Sequence, residues 1–432
     1  MADTVITDLG VVFLEIGAVL FISLLAAYLF RKVGIPAILG LLVGGIFIGI
    51  LSNARGYFFS TDFDSFRVII TEIAIGFIAY DIGNEIDLRY WRSKARKYGI
   101  LLISSFLTFL LVTTVLFIAF GLDLWFAMIF GAIAMTTAPT VTSDILGDYH
   151  ATGALSQAIL FILVLDAVLA ILLINIALAI MVSQGSGINL LIDIIVSIGQ
   201  KIIFSLIFSL AAAFVLLILL ERESLEEKSI VEWILGLSLI IIGGSLVFNG
   251  SVILSMLIFG VLLRTMEEKH QIITKHVLQL EILLIPIVLL FYVLLGLEID
   301  LELLIETGLL ITIVYFLFRF IGKTFITLYM CRISDLQPDV SKNLHLCLVS
   351  QAGIALSLTG LAYNQMITYA ETLVDQTRLV DQAQLLITVI GISIIFSQLI
   401  GPVMLRYGIE RCKSDQTKFT LLSAVEEPLI EI

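Results

Sequence analysis

The sequence predicts an all-α membrane protein with thirteen transmembrane helices, and three observations carry that prediction. Of 432 residues, 60% are hydrophobic and 14% charged, with a mean hydropathy of +1.12, far beyond the composition of a soluble domain. The apolar residues gather into thirteen stretches near the length of roughly twenty residues that spans a bilayer as a helix. Lysine and arginine crowd into alternate connections between those stretches, as a multi-pass chain requires.

In order, the stretches lie near 9–30, 35–51, 66–83, 98–119, 124–146, 154–183, 188–220, 230–247, 249–263, 277–297, 307–330, 343–362 and 383–406. The first does not read as a secretory signal. Met1 to Leu9 contains no basic residue, the apolar run is too long, and no small-residue cleavage site follows it. The fifth stretch is interrupted at membrane depth by Thr136, Thr137, Pro139, Thr140 and Thr142. The sixth contains Asp166 in otherwise hydrocarbon sequence, the eleventh contains Arg319 and Lys323, and the twelfth is interrupted by Ser350-Gln351-Ala352-Gly353.

An odd number of crossings puts the termini on opposite sides. With the N-terminus outside, eighteen of the 24 basic residues fall on the inner side, including Arg89, Arg92, Lys94, Arg96 and Lys97, against Arg55, Arg67 and Arg378 outside. The C-terminus is then cytoplasmic and the expected location is a plasma or inner membrane. Lys201, Arg319 and Lys323 fall within helices and need their own explanation. The net charge of −12 reflects acids in the outer loops, such as Asp62, Asp64, Glu298, Asp300, Glu302 and Glu306. Either basic residues are simply excluded there, or the acids form a vestibule that concentrates cations.

The basic clusters are juxtamembrane, so nucleic acid is not an expected partner; the bilayer is. Cys331, Cys347 and Cys412 have no metal-site or disulfide spacing. No cofactor and no resident metal are expected, and no soluble catalytic domain is present, so the chain does not read as an enzyme.

Weak internal symmetry pairs residues 1–183 (helices one to six) with 230–406 (helices eight to thirteen), with helix seven in 184–229 as linker and 407–432 as a short tail. The odd linker inverts the second set relative to the first. The fifth helix of each half is the interrupted one, so the expected fold has two inverted repeats with crossed, broken helices. Matched breaks in inverted halves point to a midplane binding site in a secondary transporter. Irregular backbone survives at that depth only inside protein or beside a water-filled cavity. Each break also frees carbonyl oxygens and exposes half-helix ends with partial charges. Ordinary packing explains either break alone, since glycine, proline and hydroxyl residues are common in membrane helices.

Asp166 and Lys323 both fall near mid-membrane, with Arg319 one turn before Lys323. An ion at that depth costs a few kcal/mol on insertion scales, so an Asp166–Lys323 pair is expected. Two readings of the pair stand: a static bridge fixing two helices, or a group on which burial and pairing compete so that small rearrangements move a proton.

These residues carry a resemblance. Thr137-Ala138-Pro139 with Thr142, Asp144, Leu146 and Tyr149, then Gly153, Leu155 and Leu165-Asp166, resemble the centre of the monovalent cation:proton antiporters of the NhaA and NapA type. So do Arg319 with Gly322-Lys323, Gln351-Ala352-Gly353-Ile354-Ala355, and Ile78-Ala79-Tyr80-Asp81-Ile82-Gly83-Asn84-Glu85. The similarity runs from about Val33 to Leu399, and thirteen helices suit the NapA-like subgroup. It implies exchange of Na⁺, or of K⁺ or Li⁺, for protons by a homodimer. Its scaffold would lie near 9–83 and 230–297, and its moving core near 98–220 and 307–406. The implied ion and proton site comprises Asp166, Lys323, Thr136, Thr137, Thr140, Asp144 and Gln351, with Asp81, Arg319 and Ser350 as auxiliaries.

One departure stands out. The family commonly has two adjacent aspartates in the sixth helix, and here Leu165-Asp166-Ala167 has one. Asp166 matches the first and Ala167 stands for the second, or, in a register shifted by one, Leu165 stands for the first. Either Asp81 or Asp144 compensates, or Asp81 is a water-exposed carboxylate near the inner face. A homologue that has lost exchange and acts as a sensor, gated pathway or carrier of another solute is the alternative. An intramembrane aspartyl protease is disfavoured, because Tyr80-Asp81 has no Gly-x-Gly-Asp partner: Ile145-Leu146-Gly147-Asp148 lacks the first glycine.

Overall fold

The computed structural model describes the backbone of residues 2–33, 37–55, 61–84, 88–151, 153–183, 190–222, 229–270, 273–373 and 376–412. Within these, the side chains at 2–9, 53–55, 61–62, 64–65, 88–98, 140, 143–144, 190–195, 197, 220–222, 229, 267–270 and 273–282 are not described. The basic cluster from Arg89 to Lys97, the acids Asp62 and Asp64, Glu85 and the tail from Lys413 therefore lie outside the described side chains.

Among the described residues every regular element is a helix. In order they are α1 (Ala2–Lys32), α2 (Ala37–Arg55), α3 (Thr61–Asn84), α4 (Leu88–Phe120), α5 (Leu124–Ala134), α6 (Pro139–Asp148) and α7 (Ala154–Ser183). There follow α8 (Leu190–Arg222), α9 (Ser229–Val247), α10 (Val252–His270) and α11 (Ile273–Leu297). Last come α12 (Leu301–Ile333), α13 (Pro338–Leu348), α14 (Gly353–Ala370) and α15 (Thr377–Arg411). Seven of these are long and apolar enough to cross a membrane alone, and α13 with α14, bent by 45°, makes up to eight. Shorter apolar helices occupy Ala37–Ser52, Leu124–Ala134, Val252–Met266 and Leu283–Leu297.

The first break is shorter than the sequence suggested. Helix α5 stops at Ala134 and α6 already begins at Pro139, so Thr140 and Thr142 are helical. The reason is the proline. At the first helical position its missing N–H has no intrahelical partner to lose, and its fixed φ suits a helix; Ala138 before it is extended at φ −77° and ψ 114°. The second break covers Val349–Ala352, and Gly353 opens α14 rather than belonging to the break. Helix α12 also departs from expectation, because it contains two π-helical segments, Leu304–Gly308 and Gly322–Ile326.

The chain divides into two compact units. One comprises 1–88, 178–306 and 356–391. There α2 meets α11, and α3 meets α10, at glycines that leave no room for a Cβ. A Cβ on Gly45 would stand 2.2 Å from the carbonyl oxygen of Val293, and one on Gly296 2.3 Å from that of Leu42. Gly83 and Gly260 are placed likewise against Leu257 and Tyr80. Such small-residue contacts let backbones approach where lipid offers no hydrophobic drive. Helix α8 joins α10 through buried serines, with Ser209 Oγ donating to the Ser255 carbonyl at 2.6 Å. The other unit comprises 89–177, 307–355 and 392–432 and contains both breaks.

Candidate functional site

The second unit brings Asp166 and Lys323 together. Lys323 Nζ donates to Asp166 Oδ2 at 2.5 Å and to Ser105 Oγ at 3.3 Å. Neither ionic side chain is exposed to solvent. Lys323 lies in the π-helical segment Gly322–Ile326, the kind of local unwinding that often accompanies a functional position. The preceding Gly322 lets α12 close on α4, since a Cβ there would stand 2.6 Å from both Cγ2 and Oγ1 of Thr108. Asp166 Oδ1 is buried and makes no well-formed hydrogen bond among the described residues. Ala167 beside it is fully buried.

Arg319 takes different partners from Lys323. Its Nη1 donates to the Val349 carbonyl at 2.7 Å, and its Nη2 to the carbonyls of Thr136 at 2.9 Å and Ser350 at 3.4 Å. These oxygens follow the C-terminal ends of α5 and α13, where helix dipoles leave partial negative charge. A planar guanidinium with several fixed donors suits this arrangement better than a single ammonium would. Gln351 adds a second tie, donating from Nε2 to the Ile133 carbonyl at 2.9 Å and to the Tyr315 hydroxyl at 3.2 Å. The two breaks also touch directly, through Ala138 N–H to the Ser350 carbonyl at 3.0 Å.

The hydroxyls of the first break, and that of Thr142 in the first turn of α6, point to backbone. Thr136 Oγ1 donates to Ile133 at 2.8 Å, Thr137 Oγ1 to Leu348 at 3.4 Å, and Thr142 Oγ1 to Ala138 at 2.6 Å. Thus Asp166, Lys323, Arg319, Thr136, Thr137, Ser350 and Gln351 share one unit. Thr140 and Asp144 lie on α6, but their side chains are not among those described. Asp81 is half-buried near the end of α3 in the other unit, within electrostatic reach of Tyr292. Tyr149 donates to Glu410 Oε1 at 2.7 Å, and that hydrogen bond to a carboxylate holds the phenol above its ordinary pKa.

Three participants escaped the sequence reading: Ser105, Thr108 and Tyr315. Their signal was present as polar side chains within apolar helices. Serine and threonine are nonetheless so readily absorbed by bonding back along a helix that this signal separates few sites from packing.

The family described as sodium/hydrogen exchanger, transmembrane, matches residues 19–407. The chain belongs to that family. As a sodium/hydrogen exchanger it is a multi-pass membrane transporter that exchanges a monovalent cation for protons, and sodium ions and protons are its family's substrates. Comparison with curated protein sequences gives no match. Among solved structures, the exchanger is similar in fold to the sodium proton antiporter MjNhaP1 from Methanocaldococcus jannaschii at pH 8. That match has a TM-score of 0.72 and 19% identity, and covers 93% of this chain and 99% of that one. A structure of the same antiporter from an electron-microscopy map matches with a TM-score of 0.64 and 16% identity, covering 97% and 98%.

Proposed function

We propose that this exchanger moves one monovalent cation against one proton through the Asp166 carboxylate, with Lys323 as the group that releases and regains the proton. The observation that carries this reading is the buried Asp166 Oδ1, an acceptor without a well-formed hydrogen bond beside the Lys323 pair. Asp166⁻ with Lys323⁺ is neutral. A cation arriving at Oδ1 adds a positive charge, and holding a net charge at a desolvated site costs several kcal/mol. Loss of one proton from the Lys323 ammonium, its electron pair remaining on nitrogen, restores neutrality. Reprotonation on the opposite side expels the cation. The carbonyls of both breaks already receive Arg319 and Gln351 in this conformation, so the proposed first ligand is the carboxylate itself. Thr136, Thr137, Thr140, Asp144 and Ser350 surround the path in the same reading, and Asp81 is an auxiliary.

Further parts of the reading concern architecture. Counting α5 with α6 and α13 with α14 as one crossing each makes thirteen crossings in two inverted repeats, 1–183 and 230–406. The lysine and arginine distribution supports an outside N-terminus and a cytoplasmic C-terminus in a plasma or inner membrane. A homodimer, with scaffold near 9–83 and 230–297 and moving core near 98–220 and 307–406, supplies alternating access.

Reconstitution in proteoliposomes tests the mechanism. Isotopic Na⁺ uptake and dye-reported proton efflux should occur in equal amounts, at a rate insensitive to an imposed membrane potential. A reproducible excess of protons over cations, or transport that follows the potential, would overturn one-for-one exchange.

A further inference from the structure

We infer that Gln398 is a positioning residue for the exchange site, holding the second break in the geometry that lets Gln351 and Arg319 tie both breaks together. This rests on the proposed exchange through Asp166. Gln398 is 1% exposed and sits in α15 within the apolar run Ile394 to Ile400, interrupted only by Ser397 and itself. Its Nε2 donates to the Gln351 carbonyl at 2.7 Å and approaches Ser350 Oγ at 3.3 Å. A carbonyl only accepts, so chemistry leaves one orientation for the carboxamide.

Two neighbours show that α15 is built to meet the break here. Gly401, one turn on and on the same face, lies so near that a Cβ would stand 2.5 Å from Ser350 Cα. Pro402 follows inside the helix and has no N–H to give to the Gln398 carbonyl four residues earlier. At this turn α15 has lost one of its own bonds and gained bonds to the break. Gln351 continues the chain of contacts in the other direction, to Ile133 and Tyr315. Ser350 and Val349 accept from Arg319, which lies four residues before Lys323 on α12. A displaced Gln351 therefore disturbs the donors of both breaks without any change at Asp166 itself.

The experiment compares full-length parent, Gln398→Met and Gln398→Glu in proteoliposomes, with half-saturating Na⁺ and maximal rate measured across a pH series. Gln398→Met keeps the volume and removes the donor. It should raise the half-saturating Na⁺ by about fivefold, the worth of one hydrogen bond, at a constant ratio to the parent across pH. Gln398→Glu presents lone pairs to the Gln351 carbonyl when ionised and a donor only when protonated, so its activity relative to the parent should rise as pH falls. A space-filling role moves neither quantity. If Gln398→Met does not fold, the pH series of Gln398→Glu decides alone. A Gln398→Met protein with the parent's half-saturation, or a Gln398→Glu ratio independent of pH, overturns the inference while leaving exchange through Asp166 standing. A folded parent that moves no cation sinks both.

Discussion

Asp166 and Lys323, 157 residues apart in sequence, meet at 2.5 Å with neither side chain reaching solvent. Each explains the burial of the other, since an isolated ion of either sign would be expensive at that depth. Because Asp166 is the sole acid in the middle of α7, Asp166→Asn should abolish cation-dependent proton movement in proteoliposomes while the protein remains folded and inserted. Full exchange by that variant would remove Asp166 from the mechanism.

Truncating the other partner has a different consequence. Lys323→Ala leaves a buried carboxylate without its cation, at a cost on the order of 3–5 kcal/mol. Thermal melts in detergent should fall well below the parent's, and cation-coupled proton movement should be lost with the ammonium that carries the proton. A variant that melts and transports as the parent does would show that the pair contributes to neither.

The Arg319 fork supports a prediction about geometry rather than charge. Removing it in Arg319→Gln takes the guanidinium donor from the carbonyls of Thr136 and Val349 and leaves that of Ser350 with the Ala138 N–H alone, a loss of roughly 3 kcal/mol. Arg319→Lys keeps the charge, but an ammonium cannot reproduce a planar fork, so its melting temperature should fall nearly as far. Parent-like stability in Arg319→Lys would mean that positive charge alone satisfies the two breaks.

The difference between these residues also marks what the sequence could disclose. Asp166 and Lys323 were legible as partners because ionic side chains in apolar helices carry their own demand for compensation. The two broken helices were legible from hydroxyls, proline and glycine at membrane depth. The partners of Arg319 were not legible, because they are main-chain carbonyls, which every residue possesses. Nor did the sequence show that Pro139 would begin α6 instead of extending the break, or that Lys323 would lie in a π-helical segment. Gln398 was hidden for a related reason: its partner is again a carbonyl, exposed only because Val349–Ala352 leaves the helical ladder.

The last prediction concerns the carboxylate this exchanger lacks. Ala167 is fully buried beside Asp166, and in the register that matches Asp166 to the first of the resembled antiporters' paired acids it stands for the second. Ala167→Asp adds a second titratable group next to the first, and two interacting acids of this kind titrate as a pair rather than singly. The site could then hold one more proton, so the charge moved per cycle changes and transport should become sensitive to membrane potential. Paired Na⁺ and proton flux measurements at clamped potentials, from pH 5 to 9, read this directly. Voltage-insensitive transport by a folded Ala167→Asp protein, with the parent's stoichiometry, would show that the added acid stays outside the cycle. If parent and variant are both silent with Na⁺, Li⁺ and K⁺ while remaining folded, exchange by this chain is lost and a sensing or alternative-solute role takes its place.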